Sequence, residues 1–364
     1  MSPTSVDSLL VESVNRILRQ ACTLGVIERA EGDRWFPSAW EPLAQAGFPW
    51  ISIPEAAGGS GGTLTDAMAV VRAVGRHAAP VPLAETGVLA GWLSAAAGFS
   101  IPDGPSTVVP DPEALRVDGD RVVGEAVVAW GQSAHRILML IDGPDGWLIA
   151  SIEPGGLDVR PGANLAGEPR DTVRFDVALS DVEHALAPEG VDGAALRRRG
   201  ALSRIVLSAG ALETISQMTV DYTNQRRQFG RPISAFQAVQ QHLVTTAQAV
   251  VRATMAADLA VRAVADGGGR FEVAAARVII DSAAVEATRS AHQAHGAMGV
   301  TREYPLHLYS RRLWAWRHEY GKARAWRRQL GGDVAAAGAD AFFPTVTRTL
   351  PARKDRSTHD NPKE

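Results

Sequence analysis

The spacing of apolar and polar residues changes twice along the chain, dividing it into three regions and a tail. In Val6–Leu24, Leu10, Val14, Ile17 and Leu18 recur at helical intervals. "WEPLAQAGF" reads as a short helix ending at Gly47, and "PEAAGGSGGT" as a glycine-rich loop. Thr65 is then positioned to cap a helix over "DAMAVVRAVGRHA". From about residue 108 to 192 the period falls to two. "RVVGEAVVAW", "HRILMLID", "GWLIASIE" and "DTVRFDVAL" predict strands, separated by turn signals such as Asp118-Gly119 and Gly143-Pro144-Asp145-Gly146. Helical periodicity returns from 193 to 331 in four long segments. One of them, Ser234–Ala265, places Phe236, Val239, Leu243, Val250, Leu259 and Val264 near one stripe. Short connections between these segments predict an antiparallel four-helix bundle. The chain is therefore expected to be mainly α: an N-terminal helical domain over 1–107, a small antiparallel β-domain over 108–192, a bundle over 193–331 and a flexible tail over 332–364.

Composition narrows the setting. With 364 residues, 46% hydrophobic and 21% charged, the chain has material for several cores. A formal net charge of −3 gives no reason to expect nucleic acid as a partner. Cys22 is the only cysteine, which excludes an internal disulfide and a cysteine-based metal cluster. His292, His295, His307 and His318 are dispersed without a carboxylate cluster, so no metal is expected. The N-terminus lacks the pattern of a signal peptide, and no uncharged apolar run is long enough to span a bilayer. The expectation is a cytoplasmic protein without a membrane.

Chemistry concentrates around "NQRRQFGRPISAFQAVQQH", Asn224–His242. Arg226 and Arg227 close one helix, Phe229-Gly230 turns the chain, and Arg231-Pro232-Ile233 leads into the next. One reading is a plain helix hairpin, whose arginines suit a helix C-terminus. The other is a ligand-holding turn, with Arg226 pairing with a phosphate, Gln228 hydrogen-bonding and Phe229 covering an aromatic ring. Small residues in "QAHGAMGVTREYP", Gln293–Pro305, would let a ligand approach the backbone closely.

Taken in order, the motifs resemble the acyl-CoA dehydrogenase family of flavoproteins. "W-x-x-L-x-x-x-G", "I-P-E-x-x-G-G-x-G", "R-x-x-F-G-x-x-I-x-x-x-Q" and a glycine-poor version of "Q-x-x-G-G-x-G … Y-P" span residues 10 to 331. The resemblance implies FAD as cofactor, and α,β-dehydrogenation of an acyl-CoA thioester with electrons passed to an electron-transfer acceptor. It implies that Arg226, Gln228, Phe229, Gln293, Gly296 and Gly299 contact the adenosine-diphosphate half of FAD across a subunit interface.

The departures are informative. The family's catalytic glutamate stands in an "E-G" pair on the last helix; here that pair is Tyr320-Gly321, with Glu319 one residue early. One residue along a helix is a rotation of about 100°, so Glu319 can be the base only if the local backbone differs from the family's usual pattern. The alternative site, "L-E-R" in the first bundle helix, reads "LSR", with Ser203 in place of the glutamate and Arg204 as a candidate substrate contact. The strands that hold the isoalloxazine have no match; Trp130 is either a flavin-side aromatic or β-domain core. These departures resemble the shorter subunits of heteromeric acyl-CoA dehydrogenases, which are associated with bulky acyl groups such as steroid side chains. They imply a homologous partner subunit that shares each flavin site. A homo-oligomer using Glu319 and a purely structural subunit are the alternatives.

Overall fold

In a computed structural model, residues 8–348 are described. The N-terminal region is helical: α1 (Ser8–Ala21), α2 (Leu24–Asp33), α3 (Pro37–Gln45) and α4 (Leu64–Arg76). Val14 and Leu18 of α1, Leu43 of α3 and Val70 and Val71 of α4 are buried together. The cap of α4 is Thr63 rather than Thr65: its hydroxyl accepts from the Asp66 amide, and Asp66 returns a bond to the Thr63 amide at 2.9 Å. This reciprocal pair satisfies two amides, which Thr65, inside the helix, could not do. A π-helical segment, Ala84–Gly91, runs into α5 (Trp92–Ala97) and is buried throughout, including Glu85. A charged residue inside so apolar a segment requires a partner.

The middle region is two four-stranded sheets around a shared core. β1 (Ser106–Val108), β4 (Arg136–Gly143), β5 (Gly146–Ile152) and β8 (Glu183–Leu186) form one, in the order β1-β4-β5-β8. β2 (Leu115–Asp118), β3 (Arg121–Ala129), β7 (Arg170–Ala178) and β6 (Asp158–Arg160) form the other, in the order β2-β3-β7-β6. Val122, Val128, Ile137, Met139, Ile141, Val173 and Phe175 fill the space between them. The expected antiparallel pattern has one exception, since β1 pairs with β4 in parallel. β1 arrives from the helical region, without a hairpin to reverse it, and so is free to add in that sense.

The C-terminal bundle is built on α6 (Gly193–Gln225), α7 (Gln237–Ala265) and α8 (Arg270–His295). A small hairpin, β9 (Arg227–Gln228) and β10 (Arg231–Pro232), joins α6 to α7. The contact face of α7 is not the predicted stripe of larger residues. Ala249, Ala253, Ala256, Ala257 and Ala260 make up most of its buried positions, with Thr246 and Val261, while Val250, Leu259 and Val264 are half-buried. Alanines facing α8, itself buried through Ala274, Ala283, Ala284, Ala287 and Ala291, let the two helix backbones come close. The fourth expected helix is divided into α9 (Leu306–Trp316) and α10 (Ala323–Ala337) by a turn that carries Glu319. Residues 332–348, expected to be tail, are helical in α10 and α11 (Ala339–Arg348); the remainder of that segment lies outside the described residues.

Candidate functional site

All three regions meet at a chain of alternating buried charges. Arg312 of α9 lies 3.4 Å from Glu168, Glu168 3.3 Å from Arg170, and Arg170 2.7 Å from Glu319. Glu319 in turn lies 2.5 Å from Arg204 of α6, and Arg204 2.5 Å from Glu85. Three arginines and three glutamates balance, and the indole of Trp316 donates to Glu168 at 2.9 Å. Such a cluster holds its parts in one arrangement, because removal of any member leaves an uncompensated buried charge.

The local backbone explains how Glu319 comes to be there. Helix α9 stops at Trp316, and the buried guanidinium of Arg277 donates to the carbonyls of Trp316 and Glu319, each at 2.8 Å. That capping bends the chain, and Tyr320 adopts φ 53°, a left-handed conformation uncommon for a bulky residue. The backbone therefore departs from a helix at Glu319. Its carboxylate is taken up by Arg170 and Arg204. Burial would raise its pKa, but the two guanidiniums outweigh that and hold it at about 2. A carboxylate so stabilised is a strong counter-ion and a weak base. Arg204, the candidate substrate contact, is 2% exposed and engaged by Glu85 and Glu319.

The cluster leaves little space. The cavity lined by Glu85, Trp130, Glu168, Arg170, Arg204 and Trp316 holds ≈ 10 Å³, about one water. Trp130 is buried at φ 50°, and the Arg170 guanidinium sits 5.3 Å from its ring centroid. It packs against the ionic cluster rather than presenting an open face.

The second set of expected residues lies at one end of the bundle. Tyr222, one turn before Arg226, stacks on His295 with ring centroids 4.5 Å apart, and Tyr304 packs against both. The ends of α6 and α8 are thereby side by side, bringing the β9–β10 hairpin and the Gln293–Gly299 connection to the same end. On the hairpin Arg226, Gln228 and Phe229 are exposed; Phe229 is 91% exposed at φ 51°. Its ring meets Phe236 edge-on at 6.0 Å, and Arg231 lies over Phe236. Gln293 is exposed, and Gly296 has φ 59° with open space where a Cβ would stand. Gly299 differs: a Cβ there would come within 2.9 Å of His295, so its smallness serves packing within the chain.

These two places fit FAD unequally. The hairpin and the Gln293 connection offer exposed cationic, amide and aromatic groups suited to a nucleotide diphosphate. A flavin ring has no room in the ionic cavity. The residues that close that cavity, Glu85, Glu168 and Arg170, were not singled out from the sequence. Glu85 carried a signal, as the lone acid in the apolar run "PVPLAETGVLAGWL". Glu168 and Arg170, in a polar turn, carried none. Among the described residues no group of His, Cys, Asp and Glu could hold a metal, and no helix is long and apolar enough to cross a membrane.

Comparison with known proteins finds family profiles matching both helical regions of the chain. The acyl-CoA dehydrogenase N-terminal domain profile matches residues 4–98, and the C-terminal domain profile matches residues 197–323. The chain is 30% identical to the acyl-CoA dehydrogenase IpdE2 of Mycobacterium tuberculosis, over 86% of this chain and 92% of that protein. It is also 30% identical to the acyl-CoA dehydrogenase FadE34 of the same organism, over 85% of this chain, but spans only 45% of that longer relative. Among solved structures, the ChsE4–ChsE5 complex of Mycobacterium tuberculosis superposes with a TM-score of 0.84 at 25% identity, covering 93% of this chain and 99% of the chain compared.

Proposed function

The chain belongs to the acyl-CoA dehydrogenase family, and from that premise we propose that it is one subunit of a heteromeric, FAD-dependent acyl-CoA dehydrogenase. Its part is to hold the nucleotide half of the cofactor at the outer end of its bundle, while a homologous partner provides the cleft in which an acyl-CoA thioester reacts. When bound, FAD would supply the hydride acceptor for α,β-dehydrogenation. Arg226 would neutralise a phosphate, Gln228 and Gln293 would hydrogen-bond, and Phe229 would cover an aromatic ring.

The observation that carries this reading is the contrast between the two places. The side chains of Arg226 and Gln228 are exposed and, among the described residues, form no ion pair or side-chain hydrogen bond, while the charges of the internal cleft are paired with one another. Further support comes from α7, whose outer face exposes Val244 at 50%, Val251 at 57% and Met255 at 60%. Exposed apolar residues of this kind, together with the exposed Phe229, suit contact with another chain. That the chain superposes on the ChsE4–ChsE5 complex, two different chains, agrees with an unlike partner.

Copurification tests the proposal. Tagged chain expressed with its homologous partner should yield a yellow complex with fewer flavins than chains. A colourless complex would count against any flavin role.

A second reading has one observation in its favour: the break at Trp316 frees Glu319 from helical geometry. In that reading Glu319 is the base of a self-sufficient homo-oligomer, released from Arg170 and Arg204 when substrate enters. Glu319→Gln separates the two. Both readings lose the resting pairs with Arg170 and Arg204, so turnover decides. A base would lose turnover with flavin still bound, whereas a counter-ion would lose stability and keep turnover in the complex that remains folded.

A further inference from the structure

A cleft of ≈ 210 Å³ opens where the start of α6 meets α5 and the α7–α8 connection, and the flavin reading makes no use of it. Trp92, Val191, Ala195, Arg198, Arg199 and Gly267 contribute to its walls. Arg199 is anchored there: its Nε donates to the Val88 carbonyl at 2.7 Å, and its guanidinium lies 4.9 Å from the Trp92 ring centroid. Burial without a compensating acid lowers its pKa to about 10.

Three other arginines have their charge answered by acids. Arg170, Arg204 and Arg312 pair with glutamates, and Arg277 donates to two carbonyls at the end of a helix. Among the described residues, neither Arg198 nor Arg199 forms an ion pair. Glu189 also lines the cleft, but it is exposed and pairs with neither. A largely desolvated guanidinium without a carboxylate partner is unfavourable without a counter-charge, and Arg198 lines the same cleft. On the side of the α7–α8 connection, a Cβ placed on Gly267 would meet nothing within 4 Å, so a ligand can approach the backbone.

We propose that this cleft is an anion site that takes a phosphoryl group between Arg198 and Arg199. A dianionic phosphoryl oxygen cluster matches two guanidiniums in charge, whereas a carboxylate matches one. The group could belong to free phosphate or to a phosphate ester such as that of coenzyme A, and binding to either requires no flavin and no turnover.

Calorimetric titration of the full chain, in whatever assembly it purifies, with inorganic phosphate and separately with coenzyme A tests this. Saturable binding of one or both is expected, weakened about tenfold or more in Arg199→Ala and in Arg198→Ala, the size of a lost charge-assisted bond. Loss of coenzyme A and phosphate binding together identifies a phosphate ester as the occupant; loss of phosphate binding with no coenzyme A binding at all identifies the free ion. Arg198→Ala, at a half-buried position, keeps the test open if Arg199→Ala does not fold. The proposal is overturned if neither ligand binds, or if both variants bind as tightly as the unaltered chain.

Discussion

Glu319 shows how one side chain's surroundings decide its chemistry. Its position in the sequence suggested a base; its pairing with Arg170 and Arg204 favours the counter-ion role proposed above. Glu319→Gln leaves two buried guanidiniums short of charge, which should cost about 3–5 kcal/mol and lower the melting temperature by several degrees in a thermal-shift assay. The same residue predicts an acid limit. Its carboxyl is depressed in the folded chain, so the stabilisation is complete above the ordinary carboxylate range and is lost as pH falls toward about 2. Denaturant titrations between pH 5 and pH 2 should show that loss, and the slope should be shallower in Glu319→Gln. His77 acts in a higher window. Burial, with Arg19 and Arg76 adding to it, lowers its pKa to about 4, and its ring bonds to Asn15 at 3.0 Å. A folded state that prefers neutral His77 loses stability as pH falls from about 6.5 toward 4, and His77→Gln should flatten that part of the curve.

Among the elements, the β9–β10 hairpin carries the cofactor side of the account. Because Phe229 and Arg226 are exposed, replacing both with alanine should change the stability of the isolated chain by less than about 0.5 kcal/mol. The same double replacement should release flavin from the assembled complex, measured as lost absorbance after gel filtration. Elements of this kind were legible in the sequence, since "RRQFGRPI" places its turn, its cations and its aromatic within consecutive residues. Four of the eight strands, β3, β4, β5 and β7, were legible as β-branched runs between turn signals, with β3 and β7 alternating in burial, whereas the short β1, β2, β6 and β8 were not. The rest of what was not legible is non-local. The break after Trp316 depends on Arg277 reaching from α8, and the alanine face of α7 depends on how closely α8 approaches. The ionic chain joins residues as far apart as Glu85 and Glu319, and nothing in the intervening sequence signals that they meet. Thr63 rather than Thr65 as the α4 cap turned on the Asp66 partner, a detail that two threonines a residue apart leave undecided.

At the scale of the whole molecule, three regions share one internal junction, and that junction is closed by charge. The N-terminal region contributes Glu85, the sheets Glu168 and Arg170, and the bundle Arg204, Arg312 and Glu319. Arg34 and Asp171 add a further ion pair between the first region and the second. A chain organised in this way presents its uncommitted groups outward, where the proposed cofactor and partner subunit would meet them. The most direct test is a flavin absorbance spectrum, recorded during titration with a panel of acyl-CoAs, for the chain alone and for the chain with its homologous partner. The account predicts that the complex bleaches and that the chain alone neither retains flavin nor responds. A chain that purifies by itself as a flavin-loaded oligomer and bleaches with an acyl-CoA would contradict it.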